Sequence, residues 1–477
     1  MMFKLRTYQQ EAVDAGLKYL NGNSKKPGII IVPCGGGKSI IISYIAKEVK
    51  GNVLVLQPSK EILMQNYGKA VSFGAAPTIY SASCKKKEIS EFTYATLKSI
   101  KKDVERLKEI GVDVIICDEV HAGYSAEEKS EFMEFVKHFP KAKVLGFTAT
   151  PCRLRTFGSL AEGNYSQLNF LTKDIPRFFD KVIHVTQVEE VVDLGFWSDI
   201  EYEVWKFDDS ALRLNSTGAE YTVDSIKESI RKNGVNNTIY KRIIELMDER
   251  KHILVCMDST ENCRIISEFM NKKYGRITDY VTNETSGKQR DKIIEEFKDG
   301  KLKVVFNYAA LSTGFDFPDL DCVIFGRPTF SFSVYYQVLG RVVRPSKNKE
   351  NGLIVDCCDN YSRFGDIRRL SIEDVPYRGW TMFSGDNVIS NLPMGNILTR
   401  KTLEEAAERR KNKEINGGGN EIRRRSDMDS KIMHFGKYEG VRLRNIPVSY
   451  WKFLYSCEEL SRDKREFVER YYRDIFA

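Results

Sequence analysis

The chain has 477 residues, 42% hydrophobic and 29% charged, with a formal net charge of +8. At roughly 100–200 residues per domain, this length suggests several globular domains, and the composition excludes a disordered tail, a collagen and a disulfide mini-protein. No apolar run approaches the ~18 residues of a membrane span, and residues 1–6 lack the apolar stretch of a secretory signal; the expectation is a cytoplasmic protein with no membrane contact.

Taken in chain order, residues 28–32 read as a strand, 38–50 as a helix, 53–57 as a strand and 60–73 as a helix, with further strands at 114–118 and 144–148. Continuous apolar strands separated by helices predict a parallel sheet covered on both faces. The pattern blurs over 151–222 and then resumes. Residues 225–250 read as helical, 252–257 as a strand, 261–273 and 288–298 as helices, and 303–307, 322–325 and 353–357 as strands. An α/β chain of two tandem parallel-sheet lobes is therefore expected, over 1–155 and 223–360. The irregular connector, 156–222, holds an aromatic stretch, 170–197, with room for a wedge hairpin. A basic helical linker is expected over 361–427, with a charged helix at 402–413, a flexible break at 416–420 and three arginines at 423–425. A small α+β module is expected at 428–477, with apolar anchors from Phe435 to Leu454.

From Arg400 onward the chain carries 19 basic and 14 acidic residues, more than half of the whole surplus. That permits a polyanion partner, with a solvated basic surface as the plain alternative. The ten cysteines form no C-x-x-C pair. Cys117, Cys256 and Cys322 sit in strand-like runs as small hydrophobes, so a reduced compartment without structural zinc is expected.

Three segments carry chemistry. The first strand runs into Pro33-Cys34-Gly35-Gly36-Gly37-Lys38-Ser39, and a helix follows. Glycines let the backbone curl so that successive N–H groups and the helix N-terminus face phosphate oxygens. Lys38 would reach the β/γ-phosphates and the Ser39 hydroxyl would ligate Mg²⁺. Val32 stands where such loops usually begin with glycine, and a plain glycine-rich turn is the alternative. The second segment is an apolar strand that ends in Asp118-Glu119-Val120-His121. Asp118 is placed to hold Mg²⁺ through water and Glu119 to activate the attacking water; a solvated strand end is the alternative. The third is Gln337-Val338-Leu339-Gly340-Arg341-Val342-Val343-Arg344. On a helix, 337, 341 and 344 share one face, from which the two arginines would act as fingers on a phosphate bound to the other lobe.

In this order the segments resemble the motor of a superfamily 2 helicase, two RecA-like lobes with a DEVH box, over about residues 5–359. Leu5-Arg6-x-Tyr8-Gln9 resembles the adenine-reading Q-type motif, which implies Arg6 and Gln9 at the base. Gln57-Pro58-Ser59 looks like motif Ia, and Gly146-Phe147-Thr148-Ala149-Thr150-Pro151-x-Arg153 like the coupling motif III. Ser312-Thr313-Gly314-Phe315-Asp316-Phe317-Pro318 resembles motif V, and 337–344 motif VI. The resemblance implies ATP with Mg²⁺, bound by Arg6, Gln9, Gly35, Gly36, Gly37, Lys38, Ser39, Asp118 and Asp316. It gives Glu119, Gln337, Arg341 and Arg344 to catalysis, His121, Thr148 and Thr150 to coupling, and Pro58, Ser59, Thr96, Arg153 and Thr313 to nucleic-acid contacts. Thr96 and Thr313 are equally well read as ordinary caps.

Motif details look like RadD-like, UvsW-like and restriction-motor relatives, which implies a monomeric phage branch-migration helicase acting on forked, branched or single-stranded DNA in repair or recombination. The alternatives are a duplex translocase without strand separation and a low-turnover ATP-gated clamp. The aromatics from Phe330 to Tyr336 read as packing beneath the motif VI helix, with base stacking as the alternative.

Overall fold

The computed structural model describes residues 4–127, 129–159, 163–215, 220–309, 317–393 and 396–415, and in the tail 433, 435, 438, 443, 446–457 and 460–476. The apolar runs become fully buried strands: Gly28–Ile31, Val53–Gln57, Val114–Cys117, Ile253–Cys256 and Cys322–Phe325 face packing on both sides. They gather into two sheets. In spatial order the first comprises Lys181–Val185, Gly28–Ile31, Lys143–Thr148, Val114–Cys117, Val53–Gln57, Phe92–Thr96, Thr78–Ser81 and Lys86–Lys87. Only its last pairing is antiparallel. The second, entirely parallel, runs Ile200–Val204, Gly352–Asp356, Cys322–Phe325, Ile253–Cys256, Val304–Tyr308 and Thr278–Thr282.

Helices follow the carboxyl ends of these strands, and side-chain caps fix several of their starts. Ser59 accepts from Ile62 N at 3.3 Å, Ser259 from Asn262 N at 3.2 Å and Ser331 from Val334 N at 3.4 Å. Such caps satisfy donors that the helix itself leaves open. One buried apolar cluster runs unbroken from Ile29 and Leu56 in the first lobe to Val323 and Tyr336 in the second, so the lobes are packed against each other.

Several boundaries differ from the expectation. Residues 181–185 and 200–204 fall in the expected connector, yet Lys181–Val185 is the edge strand of the first sheet and Ile200–Val204 that of the second. The hairpin lies upstream of the aromatic stretch, where Cys152–Ser159 pairs antiparallel with Gly163–Phe170 directly after motif III. The continuous helix expected over 225–250 is two, Val223–Lys232 and Val235–Leu246, because Gly234 takes a left-handed φ of 62° between them. The first part of the linker is a three-stranded antiparallel sheet, Leu370–Val375, Gly379–Ser384 and Asn387–Val388, ahead of the Arg400–Ile415 helix.

In the tail, Val448–Ser456 and Arg462–Phe476 are helices around a separate core that includes Met433, Trp451 and Val468. The break at 416–420 and the arginines at 423–425 lie outside the described residues. All ten cysteines are free thiols. Among the described residues no helix is long and apolar enough to cross a membrane, and no three His, Cys, Asp or Glu side chains are grouped to hold a metal.

Gly146, central in the first sheet, is required by its neighbours: a Cβ there would lie 2.8 Å from both Phe179 Cε1 and Val120 Cγ1. Gly146→Ala is expected to destabilise the chain by about 1–3 kcal/mol in urea unfolding, and Phe179→Leu in the same chain to restore part of it; an unchanged midpoint would show the ring has room to move.

Candidate nucleotide site

The strand Gly28–Ile31 ends at a loop whose Gly35 and Gly37 take left-handed φ of 74° and 84°, and Gly37 opens the helix Lys38–Glu48. A Cβ on Gly37 would overlap the Gln9 amide, so glycine is needed there for both backbone and space. Gln9 is buried and ties the helix before the first strand to this loop. Its Nε2 donates to Gly36 O at 3.1 Å, and its Oε1 accepts from Arg6 N at 3.1 Å.

Two strands away in the same sheet, Val114–Cys117 delivers Asp118 and Glu119 to the same edge, where ligands of open α/β sheets bind. Glu119 takes a left-handed φ of 53°, and its N–H donates to Asp118 Oδ1 at 2.9 Å. The Lys38 ammonium pairs with Asp118 Oδ1 at 3.1 Å and forms a short contact with Glu119 Oε1. Burial alone would lower the Lys38 pKa; the two carboxylates outweigh it and hold the lysine charged. Burial, assisted by Glu119, pushes the Asp118 carboxyl up against the pull of Lys38.

Facing these groups is the second lobe. A cavity of about 320 Å³ is lined by Arg6, Gln9, Gly35, Gly37, Lys38, Ser39, Asp118 and Glu119 from one side and by Gln337, Arg341 and Arg344 from the other. The helix expected to carry all three second-lobe residues is shorter: Phe332–Leu339 ends at Gly340, and both arginines sit in the turns beyond. Gly340 stands close against the other lobe, where a Cβ would fall 2.6 Å from Cys34 Cβ. There the chain tightens to i+3 bonding, with Arg341 N donating to Val338 O at 3.2 Å and Val342 N to Leu339 O at 3.0 Å. Phe332, Tyr335 and Tyr336 are buried beneath, as the packing reading expects.

A hydrogen-bond chain joins the lobes. His121 Nε2 lies 3.0 Å from Gln337 Nε2, and its Nδ1 lies 2.9 Å from Thr148 Oγ1 and 3.3 Å from Glu119 Oε2. Burial, reinforced by the charges of Lys38 and Arg153, lowers the His121 pKa to about 3, so the ring is neutral. Gln337 donates to Nε2, which assigns the proton to Nδ1 and makes that atom the donor to Thr148. The Thr148 hydroxyl in turn donates to Thr150 O at 3.1 Å and accepts from Thr150 N at 3.0 Å.

Two functional roles fall outside the sequence reading. Asn66 is buried on the inward face of Lys60–Ser72 and donates to Asp118 Oδ2 at 3.0 Å and Gln57 Oε1 at 3.2 Å, fixing the carboxylate. An amide at an inward position beside Leu63 and Ala70 was the available signal. Arg153, expected on nucleic acid, faces inward instead. Its guanidinium donates to His121 O at 3.0 Å, to Tyr124 O at 2.7 Å and to Val120 O, and pairs with buried Asp174 at 3.4 Å, bracing the loop that carries Glu119. Ser59 and Thr96 stand at the carboxyl ends of the paired strands Val53–Gln57 and Phe92–Thr96, with exposed Pro58 beside them. Ser59 caps its helix, and Thr96 donates to Ser99 Oγ at 2.9 Å. Thr313 and Asp316 lie outside the described residues.

The sequence matches two family models in tandem, one described as "Type III restriction enzyme, res subunit" over residues 2–153 and one as "Helicase conserved C-terminal domain" over 236–346. These segments supply the two walls of the cavity. These two matches, with the helicase-named relatives, support a superfamily 2 helicase. Among its relatives, a Saccharomyces cerevisiae protein named "Putative ATP-dependent helicase IRC3" is 24% identical over 74% of this chain and 51% of its own length. The chain thus spans about half the length of that relative. The "DNA 3'-5' translocase XPB2" of Sulfurisphaera tokodaii is 25% identical, over 74% of this chain and 81% of its own. The fold is similar to that of the "ATP-dependent Type ISP restriction-modification enzyme LlaBIII bound to DNA", with a TM-score of 0.53 at 18% identity, covering 75% of this chain and 28% of that one. A type I restriction HsdR fragment from Vibrio vulnificus also aligns at 0.53, at 20% identity, over 76% of this chain and 65% of that one.

Because His121 is neutral in the folded chain and titrates near 6.5 when unfolded, its contribution to stability is complete above pH 6.5 and lost as pH falls towards 3. Unfolding free energy should therefore rise with pH across that window, by up to about 1.4 kcal/mol per pH unit from this one group. His121→Asn should flatten the slope; an identical slope in the variant would place the titration elsewhere.

Proposed function

We propose that this chain hydrolyses ATP between its two lobes and uses the cycle to move on DNA, unwinding or branch-migrating forked and junction substrates. The observation that carries the reading is the cavity itself, where Lys38, Asp118 and Glu119 of one lobe face Gln337, Arg341 and Arg344 of the other. In this role Lys38 leaves its carboxylates for the β/γ-phosphates, and Arg341 and Arg344 neutralise charge that develops on the transferred group. Freed from Lys38, Glu119 orients and deprotonates the attacking water. His121, two residues from Glu119 in the same loop, bonds Gln337 and Thr148, so the second lobe's position reaches the loop that carries the base. Arg6 and Gln9 stand at the base end of the cavity.

The donors available for Mg²⁺ are one hydroxyl, Ser39, and one carboxylate, Asp118. That set fits an ion that keeps waters and takes its remaining oxygens from substrate phosphates. Bound there, the ion would offset phosphate charge and orient the triphosphate. A Glu119 carboxylate at the cavity wall favours turnover over a low-turnover clamp, which has no need of a water-activating base.

DNA would lie across the carboxyl edge of the first sheet, past Pro58, Ser59 and Thr96, with Thr313 as a further contact that the motif V resemblance implies. A duplex translocase without strand separation is the second reading, favoured by the match to a restriction-enzyme model over 2–153. The RadD-like and UvsW-like placing, with a role in phage repair or recombination in the host cytoplasm, rests on the motif strings around Thr148–Arg153 and Gly314–Pro318.

The test is ATP turnover by the full chain, with and without forked DNA. Wild type should be stimulated by DNA, and Arg344→Ala and Glu119→Gln should each lose about 100-fold or more in kcat. DNA-stimulated turnover that survives Arg344→Ala would contradict the finger role. DNA affinity should fall linearly in log–log form with salt, and arm exchange on labelled forks with ATP separates strand separation from plain translocation.

A further inference from the structure

The connector between the two sheets meets the nucleotide site at three consecutive residues. Phe196 lies under the Arg6 guanidinium, 3.3 Å from its ring centre, and edge-on to Tyr8 at 6.0 Å. Trp197, only 5% exposed, donates Nε1–H to Cys34 O of the phosphate loop at 2.8 Å. Its indole borders Gly35, where a Cβ would lie 3.6 Å from Trp197 Nε1 and 3.9 Å from Arg344 Cγ. Ser198 then binds the arginine turn: its N–H donates to Val343 O at 2.7 Å and its hydroxyl to Arg344 O at 3.1 Å.

Both ends of this segment are anchored, one in each lobe. Upstream, Lys181–Val185 pairs with the strand that feeds the phosphate loop, and the helix Val188–Asp193 ends two residues before Phe196. Downstream, Asp199 O accepts from Gly352 N at 2.7 Å, and Ile200–Val204 continues along Gly352–Asp356. A tether that only joined domains would be exposed and polar. This one buries an indole, and the indole's sole polar atom is spent on the loop that would hold phosphate.

We propose that Trp197 and Ser198 are positioning residues for nucleotide hydrolysis: one grips the phosphate loop, the other the arginine turn, and their adjacency in the chain sets the spacing between them. The proposal rests on the ATPase reading above. Since Arg344 acts on charge that develops during reaction, losing this spacing should lower kcat and leave nucleotide binding in place.

The experiment uses the full chain with ATP, Mg²⁺ and forked DNA. Trp197→Phe keeps an aromatic ring and removes the donor; Ser198→Ala removes one hydroxyl and provides a second, milder variant. Each is expected to lose about 3–10-fold in kcat, the scale of one hydrogen bond, with KM within about twofold of wild type. In an Arg344→Ala background neither should cause further loss, a non-additivity that a merely structural role would not produce. Unchanged kcat in both variants, a rise in KM alone, or full additivity with Arg344→Ala overturns the proposal. A wild-type chain without turnover overturns the ATPase reading and the proposal with it, whereas wild-type turnover that both variants retain overturns the proposal alone.

Discussion

A buried ammonium held between two carboxylates, Lys38 with Asp118 and Glu119, is the constraint on which the remaining architecture depends. Charges taken out of water are tolerated only when paired and hydrogen-bonded. The parallel sheet brings the three groups to one edge, Asn66 fixes the outer oxygen of Asp118, and the Gly37 turn lets the lysine's helix start where it does. The same cleft also admits Arg341 and Arg344, so positive groups outnumber negative ones. Such a site is best matched to a polyanion accompanied by a cation.

The second feature is how closely the loop that carries the Glu119 carboxylate is tied to both lobes. Glu119 sits in a strained left-handed conformation within a loop whose carbonyls are braced by Arg153, itself held by Asp174. His121, kept neutral by burial, connects that loop to Gln337 across the cleft. Strain of this kind persists only where surroundings over-determine it. Arg153 begins the hairpin Cys152–Ser159 and Gly163–Phe170, and Asn391 binds that hairpin to the three-stranded sheet through Phe170 N at 2.9 Å and Leu168 O at 2.6 Å. The outer strands are therefore joined by hydrogen bonds to the loop that carries Glu119.

Much of this was legible in the sequence, for identifiable reasons. The strands at 53–57 and 322–325 are read residue for residue because apolar runs bounded by turns leave little choice. The phosphate loop, the acidic strand end and the Gln337 segment are all found at one cavity because each carries its chemistry locally. Lys181–Val185 and Leu370–Val375 are not legible: the first becomes a strand through pairing with the distant Gly28–Ile31, and the second, of mixed polar sequence, through a hairpin with Gly379–Ser384. The helix ends at Leu339, and the close approach of Gly340 to Cys34 is a contact between lobes that no local period reveals. Arg153 could be recognised as notable, but only its surroundings show that it faces the Asp118–His121 loop and not a phosphate.

The account is tested most directly by a crystal structure of the chain with a non-hydrolysable ATP analogue and Mg²⁺. It predicts Lys38 Nζ released from Glu119 onto phosphate oxygens, Arg344 drawn to the terminal phosphate, and His121 still joined to Gln337. A nucleotide bound outside the cleft, or a Lys38 still locked to both carboxylates beside it, would contradict it.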